Sequence, residues 1–251
     1  MNSNYDSNKM TSLDYKILKD NLSGEDFLNA LKKIDEDYPV QYVIGDVDFL
    51  GFKIKVDERV LIPRFETEQL TDKIIDYVKK ANIKVGKILD VCTGSGCIAI
   101  ALAKNFSGAQ VVGVDKSAAA IEVARFNARQ NEVEIEFICE DVLDTWQPCK
   151  NASIIVANPP YVKKGEKVSP NTRYEPQEAL FPGDDDIIFY RTILEKCRTC
   201  LDDGGMIAFE IGCTQGAVVV RLAEENFPLA RISLEKDYAG LDRFVFIFKE
   251  V

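Results

Sequence analysis

The 251-residue chain contains no histidine. That absence removes Ser-His and Cys-His nucleophile pairs, His-ligated zinc and imidazole acid–base catalysis together. Chemistry must therefore run on carboxylates, amides, hydroxyls, a bound cofactor or geometry alone. No apolar run approaches the roughly 20 residues needed to span a bilayer. Met1 to Lys9 is polar and lacks the basic-then-apolar pattern of a signal peptide. Basic residues are also in deficit, with 31 Lys and Arg against 41 Asp and Glu and a net charge of −10. A protein living on nucleic acid usually carries a basic face, so that class is disfavoured, although net charge leaves a local patch open. The seven cysteines are odd in number and scattered, which suits reduced cytoplasmic thiols better than a disulfide frame.

What is present is the mix of a soluble globular protein, 46% hydrophobic and 29% charged, able to bury a good core. The length fits one large α/β domain, or a catalytic domain with a small appendage. Residues 1–11 read as disordered, and Leu13 to Ile34 as one or two short helices broken at Ser23-Gly24-Glu25-Asp26. Val47 to Val56 reads as a hairpin around Gly51, and Glu68 to Lys80 as an amphipathic helix. Strands are expected at Ile88–Val91, Val111–Asp115, Ile135–Cys139, Ser153–Ala157 and Met206–Ile211. Helices are expected at Cys97–Ala103, Ser117–Gln130, Ile187–Leu201 and Thr214–Glu225. This alternation implies a mostly parallel sheet. Arg231–Leu234 and Arg243–Phe248, joined by a short loop, imply an antiparallel pair at its end. Val162 to Pro182 is a long polar loop, of a length suited to a lid.

Two stretches carry candidate chemistry. The first is the turn Cys92-Thr93-Gly94-Ser95-Gly96 between a buried strand and a helix. Glycines there let a ligand approach the backbone, and the new helix presents free N–H groups. The next strand ends in Asp115, placed to bind ribose hydroxyls. Asp141 and Val142 follow the third strand, where they would frame an adenine ring or simply meet solvent. The second stretch is Asn158-Pro159-Pro160-Tyr161, which stops the fourth strand because proline cannot donate to a ladder. The corner offers an amide, carbonyls and an aromatic ring, a set suited to a planar nitrogen group. An ordinary Asn-Pro loop start fits these four residues equally well. Arg64 and Glu66 likewise read as a solvated helix start or as site residues. Cys197-Arg198-Thr199-Cys200 has neither a second pair nor a histidine, and reads as two packed thiols rather than a metal site.

Taken together these motifs resemble a family. Ile88-Leu89-Asp90-Val91-Cys92-Thr93-Gly94-Ser95-Gly96 resembles the first motif of class I S-adenosylmethionine-dependent methyltransferases. Asn158-Pro159-Pro160-Tyr161 resembles the fourth motif of those that methylate planar amino or amide nitrogens. Pro39 to Gly45, Leu61 to Glu68, Tyr174-Glu175-Pro176, Ala179-Leu180-Phe181, Phe189-Tyr190, Phe209 to Gly212 and Asp237 to Arg243 narrow the likeness to the release-factor glutamine methyltransferases. The likeness covers roughly residues 39–250. Two departures stand out: Cys92 where the family usually has glycine, and Phe65 for the second proline of Pro-Arg-Pro-Glu-Thr. The segment before Gln41 is also shorter than the family's helical N-terminal domain.

The resemblance implies a seven-stranded, mostly parallel Rossmann-like sheet with an antiparallel last strand. A short helical segment (1–45) and a β-hairpin linker (46–62) would precede a methyltransferase domain (63–251). It implies methyl transfer from S-adenosylmethionine to the glutamine amide of the Gly-Gly-Gln loop of peptide-chain release factors; the cysteines, the N-terminus and the absent histidine add the expectation of a cytoplasmic protein with no metal. Cys92, Thr93, Gly94, Ser95, Gly96, Asp115, Asp141, Val142 and Asn158 would bind cofactor. Asn158, Pro159 and Tyr161 would be catalytic, with Pro160, Arg64 and Glu66 joining them around the substrate. The alternatives are an adenine-amino methyltransferase acting on DNA or RNA, and an inactive cofactor-binding scaffold.

Overall fold

The computed structural model describes residues 10–81 and 83–250. Of the expected disorder over 1–11, residues 1–9 therefore lie outside the described residues. Thr11 is not disordered. It closes a capping box with Asp14 at the start of α1 (Ser12–Asn21), accepting from the Asp14 N–H at 3.1 Å. Helix α2 (Gly24–Asp35) follows, then α3 (Val40–Ile44), whose five residues are too few for an apolar period to reveal. Its bounds are visible in the chain all the same, as Pro39 in front and a left-handed Gly45 (φ 90°) behind. Leu18, Ala30, Leu31, Ile34 and Val40 pack these helices into a small core of their own.

Strands β1 (Asp46–Phe49) and β2 (Phe52–Lys55) form the expected hairpin. Its two-residue turn, Leu50 (φ 49°) and Gly51 (φ 82°), has positive φ at both positions, as the right-handed strand twist demands. Phe49, Ile54 and Val56 are fully buried in the larger core beneath α4 (Phe65–Ala81).

The main sheet contains β3 (Lys87–Val91), β4 (Gln110–Asp115), β5 (Glu136–Cys139), β6 (Ala152–Ala157), β7 (Leu201–Glu210), β8 (Arg231–Lys236) and β9 (Asp242–Phe248). Between them run α5 (Cys97–Asn105), α6 (Ala118–Gln130), α7 (Gln177–Leu180), α8 (Ile188–Cys197) and α9 (Gly216–Asn226). The spatial order is β5-β4-β3-β6-β7-β9-β8, parallel as far as β7, with β9 antiparallel to both neighbours. β9 is thus interior and β8 forms the edge. The strands read as nearly continuous apolar runs because both faces are covered. Ile154, Val156, Met206 and Ala208 join the core under α4, α5 and α6. Ile155, Ala157, Ile207 and Phe209 join the one under α8 and α9. The succession turns back at β3, with β4 on one side and β6 on the other. In open α/β sheets such a reversal leaves a crevice at the strands' carboxyl ends, where ligands bind.

Two boundaries differ from the sequence reading by four residues or more. Helix α8 stops at Cys197, not Leu201, and β7 starts at Leu201 rather than Met206. The Gly204-Gly205 pair sits in a bulge of β7 instead of ahead of it, where a side chain on Gly205 would come within 2.9 Å of the Asp202 carbonyl. The 162–182 segment is not a free lid either. It holds a 3₁₀ turn (Pro170–Tyr174) and α7, and the Tyr174 hydroxyl and the Arg173 guanidinium both donate to the Glu36 carbonyl. Among the described residues no helix is long and apolar enough to cross a membrane.

One buried amide ties the hairpin to the sheet. Asn127 on α6 accepts from the Lys55 N–H at 2.8 Å and donates to the carbonyls of Lys55 (3.0 Å) and Ser95 (2.9 Å). Replacing Asn127 with Ala leaves these three backbone groups unpaired and should lower the unfolding free energy by about 2–3 kcal/mol in urea titrations. An unchanged midpoint would contradict this role.

Candidate active site

The glycine turn is fastened before any ligand arrives. Cys92 (φ 63°), Gly94 (φ 53°) and Gly96 (φ 81°) take left-handed backbone conformations. For Cys92, a residue with a Cβ, this costs roughly 1–2 kcal/mol. Cys92 therefore keeps the conformation a glycine would take at its position. The Thr93 N–H donates to the Val114 carbonyl (2.9 Å), which locks the turn onto β4. Asp115 accepts from the N–H groups of Gly94 and Ser117, both at 2.9 Å, one on each carboxylate oxygen. Burial pushes its carboxyl above the usual range, and these two donors oppose the rise. Beneath the turn, Asp90 takes the Thr93 hydroxyl at 2.6 Å and the Ala99 N–H at 3.1 Å on Oδ2. Its other oxygen, Oδ1, is buried without a partner among the described residues, and burial pushes the carboxyl up to about 7. Gly113 on β4 has no room for a side chain, since a Cβ would lie 2.8 Å from the Phe137 ring and 3.0 Å from the Thr93 hydroxyl.

Above the turn lies a cleft of about 850 Å³, open to solvent. Cys92, Thr93, Gly94, Ser95, Asp115, Asp141, Val142 and Asn158 line it, as does Pro160. Gly96 is not in the wall. It precedes α5 and faces Ala124, 3.2 Å from where its Cβ would be. A second, smaller cavity of about 290 Å³ is lined by Leu61, Arg64, Pro159, Tyr161, Val162, Ala179 and Leu180, again with Asn158. Asn158 thus stands between two cavities, with Leu61 and Ala179 also shared. Glu66 lines neither. The Arg64 guanidinium is held at 2.5 Å by the buried carboxylate of Glu175, which also accepts from the Ile62 N–H at 3.1 Å. This ion pair fixes the start of α4 against the loop before α7, so Arg64 forms part of the small cavity's wall in one set position.

The corner itself is held by a residue that the sequence reading left out of the site. Glu210, at the end of β7, is fully buried. Its Oε2 accepts from the Thr67 hydroxyl (2.7 Å) and its Oε1 from the Tyr161 hydroxyl (3.1 Å). Thr67 Oγ1 in turn accepts from the side-chain amide nitrogen of Asn158 at 3.0 Å. Burial pushes the Glu210 carboxyl up to about 7, helped by Glu66 and opposed by Thr67, Tyr161 and Arg243. Gln215 supports the same corner from α9's start, donating to the Tyr161 carbonyl at 3.2 Å and to Asp186 at 2.9 Å. The usable signal for Glu210 was an acid closing an otherwise apolar strand, Met206 to Ile211. No three His, Cys, Asp or Glu side chains gather as a metal site among the described residues. Cys197 and Cys200 are both buried with free thiols.

The sheet order, the fastened glycine turn and the proline-bounded corner define a methyltransferase. Residues 66–175 match the family model described as Methyltransferase small domain. The "Release factor glutamine methyltransferase" of Flavobacterium psychrophilum is 41% identical over 231 residues, 90% of this chain and 81% of that one. The protein of the same description from Thermodesulfovibrio yellowstonii is 41% identical over 216 residues, 84% of this chain and 76% of that one. The solved structure of the T. thermophilus 16S rRNA N2 G1207 methyltransferase, in complex with AdoMet and guanosine, shares the fold. Its TM-score is 0.58 at 18% identity, over 82% of this chain and 50% of that one. The chain belongs to the release factor glutamine methyltransferase family.

The two raised carboxyls carry a stability signature. In the unfolded chain Asp90 and Glu210 titrate near 4, and in the folded protein near 7. Between those values the folded state binds more protons, so stability falls as pH rises through the window and levels off above about 7. Replacing Asp90 with Asn should make the decline shallower by up to about 1.4 kcal/mol per pH unit in denaturant titrations. An unaltered slope would contradict a raised Asp90.

Proposed function

We propose that this protein transfers a methyl group from S-adenosylmethionine to the side-chain amide nitrogen of the Gly-Gly-Gln glutamine in a peptide-chain release factor. The observation that carries the reading is Asn158, which lines both cavities with its NH₂ held by Thr67 and its carbonyl oxygen without a partner among the described residues. The cleft's donor set fits the cofactor. A side chain on Gly94 would meet no protein atom within 4 Å, so that backbone faces open space on the cleft wall. Asp115 retains lone pairs for ribose hydroxyls, and Val142 offers an apolar face for an adenine ring. When bound, S-adenosylmethionine supplies an electrophilic methyl on a positively charged sulfur.

The chain's own residues address the nucleophile. An amide nitrogen is a weak one because its lone pair is delocalised into the carbonyl. Asn158 Oδ1 and the Pro159 carbonyl, which has no N–H of its own residue beside it, accept the two amide protons of the glutamine. The Tyr161 ring, anchored by its hydroxyl on Glu210, packs against the amide plane. Leu61, Val162 and Leu180 give the smaller cavity an apolar wall beside the amide. Alignment and fixed dipoles then carry the rate, and no strong base is needed. Residues 63–251 carry this chemistry, preceded by the hairpin linker 46–62 and the N-terminal segment 1–45. A release-factor substrate implies a cytoplasmic setting.

Mass spectrometry of purified release factor, incubated with the protein and S-adenosylmethionine, tests the reading. One added methyl on the Gly-Gly-Gln glutamine is expected. Transfer to adenine in nucleic acid, with none to release factor, would contradict it. Replacing Asn158 with Ala should lower kcat by about a hundredfold or more while cofactor affinity stays within a few fold. Near-wild-type kcat would remove Asn158 from the chemistry.

A further inference from the structure

The donor–acceptor order at the corner has only one direction when Glu210 is ionised. A carboxylate accepts and never donates, so the Thr67 hydroxyl must give its single hydrogen to Glu210 Oε2 at 2.7 Å. Thr67 Oγ1 is then left with lone pairs only, and whatever Asn158 turns toward it must be the NH₂ end, seen at 3.0 Å. The amide's two ends are fixed, and Oδ1 is the end left for a ligand. We propose that Thr67 and Glu210 are positioning residues which act through Asn158, setting its side-chain amide so that the carbonyl oxygen faces the substrate nitrogen. The inference rests on the functional reading above for its kinetic consequence, while the orientation itself stands on geometry alone.

Protonation of Glu210 undoes the order. A carboxylic acid proton on Oε2 would donate to Thr67, freeing the threonine hydrogen to seek the Asn158 carbonyl and turn the amide round. The other groups around Glu210 do not restore the direction. Tyr161 donates to Oε1, and Tyr190 on α8 donates to the main-chain carbonyl of Glu210 at 3.0 Å. Arg243 on β9 favours the ionised form, but it is paired with Asp237 at 3.2 Å and with the Ile211 carbonyl at 3.0 Å. Glu66 on α4 favours the protonated form, and Cys97 on α5, its thiol pushed up to about 12, stays neutral. With the Glu210 carboxyl raised to about 7, the switch falls within the working range of pH. Activity should therefore be full above about 7 and fall below it, up to about tenfold per pH unit.

The test combines kinetics on release factor with a readout that needs no turnover. Thr67→Val keeps the shape and removes the hydroxyl. It should lower kcat by about ten- to a hundredfold, with KM for release factor and the affinity for S-adenosylhomocysteine moving by only a few fold, and Thr67→Ser should restore most of kcat. Glu210→Gln should flatten the acid limb of the kcat profile. In ¹⁵N-asparagine-labelled protein, the Asn158 NH₂ signal, identified by its loss in Asn158→Ala, should be protected from exchange at pH 8. It should lose that protection near pH 6, and at both pH values in Thr67→Val. Wild-type kcat in Thr67→Val, no rescue by Ser, or an Asn158 signal insensitive to both pH and Thr67→Val would overturn the proposal. If the wild type transfers no methyl to release factor, the functional reading fails, and the NMR signal still decides the orientation. That signal in the wild type serves equally if Thr67→Val does not fold.

Discussion

A single buried carboxylate holds the candidate site together. Glu210 sits at the carboxyl end of β7 with no exposed surface, and it is reached by side chains from three other parts of the chain. Thr67 comes from the first turn of α4, Tyr161 from the corner after β6, and Tyr190 from α8. Burying an acid is costly unless its lone pairs are used; Thr67 and Tyr161 use those of the carboxylate, while Tyr190 holds the main-chain carbonyl of the same residue. What results is a polar network in an otherwise apolar core, and its members cannot rotate independently. Asn158 takes its orientation from that network through Thr67.

The fold makes this junction by placing strand ends side by side. The order reverses at β3, so the glycine turn after β3 and the proline corner after β6 are neighbours, with β7 next in line. β3 contributes the turn, β4 contributes Asp115, β6 contributes the corner and β7 contributes Glu210. Helix α4 lies before the sheet in the chain, yet its first turn reaches the same place, held by Arg64 on Glu175 and by Thr67 on Glu210. The two cavities then lie on either side of Asn158, one along the glycine turn and one against Tyr161 and Arg64. A methyl donor and an amide acceptor must meet across one shared wall, and this arrangement supplies it.

Much of this was legible in the chain. The strands were readable because burial on both faces makes them continuous apolar runs, and the helices because α4 and α6 carry a strong one-sided pattern. The turn and the corner announced themselves through residues with backbone requirements, glycine and proline. The misses have a different physics. α3 spans less than two turns and has no period to find. The end of α8 and the bulge in β7 depend on how Leu201 and Met206 pair with β6, which is a tertiary matter. Thr67 and Glu210 stand 143 positions apart, and a hydroxyl on a helix says nothing of the acid it will meet. Arg64 fits a solvated helix start or a site residue equally well in the chain alone, because its partner, Glu175, lies 111 positions away with no exposed side chain. Local pattern shows which residues are unusual, and only the packed sheet shows which of them share a hydrogen bond.

With Thr67 and Glu210 setting the Asn158 amide as proposed, its carbonyl, not its amine, faces the reacting nitrogen. A crystal structure with S-adenosylhomocysteine and a Gly-Gly-Gln peptide bound tests it most directly. The glutamine amide nitrogen is expected within hydrogen-bond distance of both Asn158 Oδ1 and the Pro159 carbonyl, with the cofactor's sulfur across the shared wall and Thr67 still on the Asn158 NH₂. A glutamine seated away from Asn158, or an Asn158 side chain that leaves Thr67 to meet it, would contradict the claim.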